Sequence, residues 1–472
     1  MDHDTLKTTV QTLWDGPILS SLSELVSIPA VSPSFDADWQ RNGHLDAAIE
    51  HVRAWAEERE LPGARVDVVQ LDGRTPVLLI DVPATPGAEE VGTALLYGHL
   101  DKQPPVGGWS EGLGPWTPVV RDGKLYGRGS ADDCYSAYAA LGAVLSVREA
   151  GGAHGRCVVL LETGEESGSP DLPAYLEHLR PRLGEVSLVV CLDSGGADYE
   201  RLWLTTSLRG MVAVEVRVQV LDSGQHSGIA SGVVPSSFRV LRALLDRVED
   251  PETGRVRLPE LHVDIPEVRV KEATAAVAGL PGMVVGSFPF TPGVRAVSGD
   301  ELELELNRTW RPTLSVIGAD GLPTPADAGN VLRPSTSLML SFRLPPTADS
   351  EAALAAVRRV LTTEVPYDAQ VELSRVEHAD GWNAPDLAPW LSEALDRAGS
   401  EVFGQPWGAL GMGGSIPFMG LLQEAYPHAQ FVITGALGPD SNAHVPDESL
   451  RLDFAAKVTM AIGHLLDGHG KR

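Results

Sequence analysis

The sequence predicts an α/β protein: a discontinuous domain, with a mixed sheet flanked by helices, interrupted by an inserted α+β domain. Three observations predict it. Through about the first two hundred residues, short apolar runs alternate with longer helical patterns, the rhythm of a layered α/β structure. From about residue 209 the runs instead alternate apolar and polar residues, as strands with one wet face require. A buried-strand pattern then returns late, at "QFVITGAL", so the first layer resumes. At 472 residues the chain also exceeds what one core usually holds. The expected parts are 1–208 and 388–472 for the discontinuous domain and 209–387 for the insertion.

In chain order, "TPVLLIDV", "TALLYGHL", "RCVVLLET" and "VSLVVCLDS" read as buried strands. Between the second and third, "SADDCYSAYAALGAVLSVREAGG" has a Ser/Asp start, apolar residues at helical spacing and a Gly-Gly stop, which predicts a helix of about twenty residues. In the insertion, "MVAVEVRVQV", "TSLMLSFRL" and "AQVELSRVEH" read as half-wet strands. "SSFRVLRALLDRVED" and "DSEAALAAVRRVLTTEV" read as amphipathic helices. The Pro- and Gly-bearing stretch 251–300 reads as a loop-rich excursion. A helical "NAPDLAPWLSEALDRAGSEVF", the strand "QFVITGAL" and a final helix from about Arg451 complete the first layer.

The formal net charge of -27 disfavours nucleic acid and anionic membranes as partners, because either would repel the chain. No stretch approaches the roughly 18 apolar residues of a membrane span, and "MDHDTLKTTV" lacks the basic and apolar regions of a secretory leader. Cys134, Cys157 and Cys191 are too few and too irregularly spaced for a disulfide framework or a thiolate zinc site. A reducing cytoplasm fits them.

In open α/β sheets, functional groups gather just beyond the carboxyl ends of the strands. "ALLYGHLD" ends with His99 and Asp101, "VVLLETGEES" with Glu165 and Glu166, and "LVVCLDS" with Asp193; "FVITGAL" leads into the loop bearing His444, and Asp132 stands at the helix entrance. Two imidazoles with several carboxylates suit Zn²⁺, with Mn²⁺ or Co²⁺ as alternatives; calcium would want oxygen alone. A lone strand-end histidine, or one acidic pair, is ordinarily structure or surface. Their recurrence at successive strand ends favours a metal, since carboxylates buried together repel one another unless cations neutralise them.

The motifs "YGHLDKQP", "LYGRGSADD", "ETGEESGS", "SLRG", "HSG", "RPTLSV", "GGSIP" and "SNAH" occur in this order over nearly the whole chain. They resemble the aminoacylase/carnosinase family of dinuclear metallopeptidases, in its cytosolic nonspecific dipeptidase and carnosine dipeptidase branch. The resemblance implies two metal ions, one on His99 and Asp193, the other on Glu166 and His444, bridged by Asp132. It implies that Asp101 orients His99 by accepting its other ring N–H. Glu165 would be the general base that activates a metal-bound water against an amide bond, and the Asp132–Asp133 bond would be cis. The insertion would be a lid and dimerisation domain. Arg343 would receive the substrate's free carboxylate, and His226 would reach a partner subunit's site and stabilise the oxyanion in a homodimer. Asn330, His378, Gly414 and Ser415 complete the implied substrate contacts.

The chain departs from the branch in places. Gly411 and Met412 stand where the branch has an Arg-Glu pair before "GGSIP", Cys134 follows the paired aspartates in place of lysine, and Asp440, Asp447 and Glu448 make the His444 loop unusually acidic. The expected activity is metal-dependent hydrolysis of dipeptides or dipeptide-like amides. An N-acyl amino acid deacylase would use the same metals; an amine acyl transferase or a non-catalytic binding scaffold are the readings from other classes. All the ligand positions and Glu165 are filled, which argues against decay into a scaffold.

Overall fold

The computed structural model of the chain describes residues 1–414 and 417–472. Two compact units divide it: Met1–Thr205 with Ala384–Leu410 and Leu421–Arg472, and Thr206–Asn383 with Gly411–Gly420.

In the first unit, runs of valine and leucine with no polar alternation form strands buried on both faces. β1 (Arg65–Val69), β2 (Val77–Val82), β3 (Thr93–His99), β4 (Arg156–Glu162), β5 (Val186–Cys191) and the strand Gln430–Ile433 form one sheet in the order β1-β2-β4-β3-β5, then Gln430–Ile433. The β1–β2 and β2–β4 pairings are antiparallel and the rest parallel, so the sheet is mixed. β3 lies in its interior, every residue buried. Its ladder with β4 sets His99 opposite Glu162, which brings the ends of the two strands to one edge.

The helix Tyr135–Glu149 is buried on nearly every face and packs in one core with His3–Leu13, Pro389–Ala398 and Leu452–Gly470. This helix begins at Tyr135 rather than near Ser130, because the preceding residues form the turn that carries Asp132, joined to Asp133 by a cis peptide bond. Elements beyond those expected include the helices His3–Leu13, Leu19–Ser27, His44–Glu57 and Leu172–Leu183 and the edge strand β1.

The second unit is built on an antiparallel sheet of β6 (Gly210–Gln219), β8 (Thr313–Asp320), β10 (Ser335–Leu344) and β11 (Gln370–Ala379), in the order β8-β10-β6-β11. Val212, Val214, Val216, Val218, Leu340 and Phe342 pack with Val240, Leu244 and Val357 of two helices, Ser237–Val248 and Ser350–Thr362. Asp349 caps the second helix by accepting from the Ala352 N–H at 2.9 Å. A separate small ladder joins β7 (Gln225–His226) to β9 (Val331–Leu332). The stretch 251–300, expected as loops, contains the helix Glu267–Gly279, whose helix-forming residues begin directly after Pro266. No helix among the described residues is long and apolar enough to cross a membrane.

Candidate metal centre

The parallel strands β3, β4 and β5 end at one edge of the first unit's sheet, and each passes there into a segment bearing a metal-ligand type. His99 closes β3, Glu165 and Glu166 form a tight turn that begins three residues beyond β4, and Asp193 follows β5 by two residues. The His99 Nε2 lies 3.4 Å from Asp132 Oδ1, 3.9 Å from Asp193 Oδ2 and 4.0 Å from Glu165 Oε2. On the other side His444 Nε2 is 2.9 Å from Asp132 Oδ2 and 3.3 Å from Glu166 Oε2. Two ligand groups result, His99–Asp132–Asp193 and Asp132–Glu166–His444, each with its ligand atoms within 4.8 Å of one another. Asp132 belongs to both, one oxygen towards each.

Asp101 is fully buried beside His99, but its contacts differ from the expectation. The His99 Nδ1 donates to the main-chain carbonyl of Asp101 at 3.0 Å, whereas the carboxylate Oδ1 stands 3.5 Å away. The carboxylate instead accepts the N–H groups of Glu165 at 3.1 Å and Glu166 at 3.0 Å. The reason is local: the start of a helical turn presents main-chain N–H groups with no partner within the turn. Asp101 therefore holds the Glu165–Glu166 turn, and the carbonyl fixes the tautomer of His99, because a carbonyl can only accept. In the neutral ring the Nε2 lone pair is left facing the carboxylates.

Several supporting residues escaped the sequence reading. Glu448, fully buried, takes the Arg128 guanidinium at 2.6 Å through one oxygen and the N–H groups of Ala131 and Asp132, each at 3.2 Å, through the other. Gln103 donates to Glu166 Oε2 at 2.6 Å. Lys102, fully buried, donates to the carbonyls of Leu25, Val26 and Ile28, closing the end of the helix Leu19–Ser27. A Cβ at Gly98 would meet Ser136 Oγ at 2.0 Å and Asp133 Oδ2 at 2.7 Å, so only glycine fits before His99. The acidity of the His444 loop is likewise structural: Asp440 pairs with Lys124 and Tyr199, and Asp447 accepts from the Ser110 N–H at 2.9 Å. Cys134 is buried with its Sγ 3.9 Å from the Leu100 carbonyl, and burial pushes its thiol up to about 11, which leaves it a small packing residue.

Burial raises Glu165 to about 7 and Glu166 to about 8, with Asp132 adding to both. Burial and the Glu165 charge hold Asp193 well above the carboxylate range. Asp132 alone goes down: burial opposes ionisation, and hydrogen bonds from His444 and His99 overcome it. Burial would lower His99, yet Asp101, Asp132 and Asp193 draw it well above its ordinary value. The field therefore favours positive charge at this point. Two buried polar atoms, His99 Nε2 and Glu166 Oε1, have no hydrogen-bond partner, which is costly unless something else binds them. A cation fits both the field and the vacant lone pairs.

In the second unit, Arg343 is half-buried on β10 opposite Met211 of β6. Arg209, named in the sequence only as part of a motif, donates through its guanidinium to the Arg343 carbonyl at 3.3 Å and through its main-chain N–H to the Gly414 carbonyl at 3.1 Å. It thereby ties two of the expected substrate positions together. The β7–β9 ladder sets exposed His226 beside Asn330, whose carbonyl accepts from the Ser227 N–H at 2.9 Å.

His378 is not brought to Arg343. It lies opposite Val212, one residue on from Met211, and so points to the other face of the sheet, where its ring is 3.0 Å from Ser350 Oγ. A bulge between Ser374 and Glu377 causes this; without the extra residue His378 would fall opposite Met211. Ser415 lies outside the described residues. The departure at Gly411 has a steric reason, since a Cβ there would meet Ser207 Oγ at 2.7 Å and Thr309 Cβ at 2.8 Å.

The profile of Peptidase family M20/M25/M40 matches residues 95–467. The chain is 28% identical over 442 residues to the cysteinylglycine-S-conjugate dipeptidase of Corynebacterium striatum, covering 89% of this chain and 92% of that protein. It is 26% identical over 416 residues to the Beta-Ala-His dipeptidase of Homo sapiens, covering 82% and 78%. The crystal structure of human carnosine dipeptidase 1 has the same fold, with a TM-score of 0.76 at 22% identity over 99% of each chain.

Proposed function

We propose, because the chain belongs to peptidase family M20/M25/M40, that it hydrolyses the amide bond of dipeptides or dipeptide-like substrates bearing a free carboxylate. The observation that carries the reading is Asp132, whose two oxygens face His99 at 3.4 Å and His444 at 2.9 Å, as a carboxylate that bridges two cations must. His99 and Asp193 would hold one ion, Glu166 and His444 the other. Two divalent cations there would supply Lewis acidity, polarising the scissile carbonyl and acidifying the attacking water. Zn²⁺ is the assignment that the mixed imidazole and carboxylate set supports.

Glu165 is the proton carrier in this reading. Its carboxylate turns towards the same centre, 4.0 Å from the His99 Nε2, while Asp101 holds its main chain. It takes the proton of the attacking water and passes it to the leaving amine. The dipeptidase relatives support the substrate class. Arg343 is assigned the substrate carboxylate, for which a planar guanidinium is shaped. Gly414 and Ser415 are assigned main-chain contacts, His226 is assigned the oxyanion of a partner subunit's site, in a homodimer through the inserted domain, and Asn330 and His378 are assigned further substrate contacts. A cytoplasmic location is supported by three buried free thiols, Cys134, Cys157 and Cys191.

The test is a substrate panel on protein stripped with chelator and reloaded with Zn²⁺. Free dipeptides, their C-terminal amides and N-acetyl amino acids are compared by kcat/KM. Free dipeptides should lead their amides by at least ~10-fold, the worth of one charge-assisted contact. A lead for N-acetyl amino acids would make the protein a deacylase. No turnover of any class by metal-loaded protein would overturn the reading.

A further inference from the structure

Away from that centre, in the same unit, three segments remote in sequence bring ligand-type side chains to one point. His3 opens the helix His3–Leu13, Glu401 lies in the turn Gly399–Phe403, and His464 lies in the helix Leu452–Gly470. The three atoms form a nearly equilateral triangle. His3 Nδ1 is 3.2 Å from His464 Nε2 and 3.3 Å from Glu401 Oε2, and His464 Nε2 is 3.6 Å from Glu401 Oε2. A point ~2 Å from all three lies at the triangle's centre, which is the Zn–N and Zn–O bond length.

Hydrogen bonding accounts for this arrangement poorly. One imidazole can donate to the other, but both contacts to Glu401 exceed the usual ~2.7–3.2 Å of an N–H···O bond. His464 is buried, and burial, helped by His3, brings its pKa down to about 4, so its ring is neutral with a lone pair to give at neutral pH. Of the cations that act on His464, the Arg397 guanidinium is turned to Asp467 at 3.9 Å. Exposure is graded across the site: the side chains of His464, His3 and Glu401 are 1%, 28% and 40% accessible. An ion therefore has a solvent entrance on the Glu401 side.

We infer that His3, Glu401 and His464 form a third divalent-cation site, for Zn²⁺ or a similar borderline ion, that clips the N-terminal helix to the C-terminal one. Two imidazoles and one carboxylate are a donor set that holds such ions over Mg²⁺ or Ca²⁺. The ion would act structurally, because no residue of the catalytic reading touches it. Its effect would be to close the start of the helix His3–Leu13, whose Leu6 and Val10 are buried in the core.

Metal counting on the full-length protein tests this. Stripped wild type, His3→Ala and Glu401→Gln are each dialysed against micromolar free Zn²⁺, and bound metal per chain is measured. Each variant should bind one ion fewer than wild type and keep wild-type hydrolysis. A second readout is independent of the catalytic ions: in a His99→Ala/His444→Ala chain, Zn²⁺ should slow tryptic cutting at exposed Lys7 by at least ~3-fold, since a ligand of the closed form suppresses local opening. Adding His3→Ala should abolish that protection. Equal metal counts in wild type and both variants, or no effect of Zn²⁺ on cutting at Lys7, would overturn the inference.

Discussion

Glu448→Gln is the substitution that most directly tests how the candidate metal centre is held. The glutamine has the shape of the glutamate but only one accepting oxygen and a new NH₂ group. In the native site one oxygen faces the Arg128 guanidinium at 2.6 Å and the other faces the Ala131 and Asp132 N–H groups at 3.2 Å. Whichever way the amide turns, donor meets donor on one side. Because the amide is neutral, a guanidinium that is 1% exposed loses its counter-ion in either orientation, and breaking a buried pair from one side costs about 3–5 kcal/mol; with the NH₂ facing the turn, two main-chain donors are orphaned as well, at about 1–3 kcal/mol each. The expected loss is therefore about 3 kcal/mol, read by equilibrium denaturation of the metal-stripped protein. Asp132 should also lose its register, with a fall in metal retention and in kcat/KM. The double variant Arg128→Met/Glu448→Leu separates the two effects. It leaves no buried charge and should recover much of the stability, but not the activity, because the Asp132 turn still lacks its acceptor. A loss under ~1 kcal/mol in Glu448→Gln, or full activity in the double variant, would refute the reasoning.

Glu165→Gln should cut turnover at least ~10²-fold with bound metal unchanged, because the amide keeps an acceptor but cannot carry the proton; near-normal turnover would remove Glu165 from the mechanism. Arg343→Ala should lower kcat/KM for free dipeptides by about 10–10²-fold and barely change it for their amides, and an unchanged ratio would show that the carboxylate is bound elsewhere. His469 titrates away from the site. Burial, then Arg472 and His154, hold it down to about 3, against about 6.5 when unfolded. The unfolded chain thus binds the proton first, and stability is full above pH ~6.5 and falls as pH drops towards 3. This one group should account for about 2 kcal/mol lost between pH 7 and pH 5. His469→Gln should flatten the urea-midpoint profile by that amount, and an unaltered slope would refute the assignment.

What could be read in the sequence was local and anomalous. A run such as "TALLYGHLD" is informative because a strand buried on both faces has no reason to end in a histidine and an aspartate unless something at that edge uses them. The three parallel strand ends and the Asp132 turn were legible on that ground. What was not legible depends on pairs far apart or on the main chain. Arg128 and Glu448 are 320 residues apart, and neither carries a local signal of the other. The partners of the Asp101 carboxylate are main-chain N–H groups, which every residue but proline possesses, so the sequence points only to the obvious neighbour His99. Two further features of the structure have geometric causes that the sequence pattern does not announce. "SADD" imitates a helix cap, so the sequence pattern predicts a helix about five residues before its observed start at Tyr135, ahead of the cis bond of the Asp132 turn. The bulge in β11 adds a residue that no alternation pattern announces, and it moves His378 to the face opposite Arg343.

The charges around the centre explain why so much of its scaffold is rigid. Among the described residues, Asp132, Glu165 and Glu166 with Asp193 form ion pairs only with the two imidazoles. The permanent cations close by are committed elsewhere: Arg128 to Glu448, and Lys102 to the carbonyls that end the helix Leu19–Ser27. Had either turned to the carboxylates, it would have filled the place of a metal with a charge that cannot leave. Instead, each cation is bound to the framework one layer out, where it anchors the Asp132 turn or the helix Leu19–Ser27. The carboxylates keep their mutual repulsion until ions from solution relieve it. The same commitment explains why the supports had to be buried and fully hydrogen-bonded. A site that repels itself stays assembled only if its main chain is fixed by contacts that do not depend on the ions, which is what Asp101 and Glu448 provide through the N–H groups of Glu165, Glu166, Ala131 and Asp132.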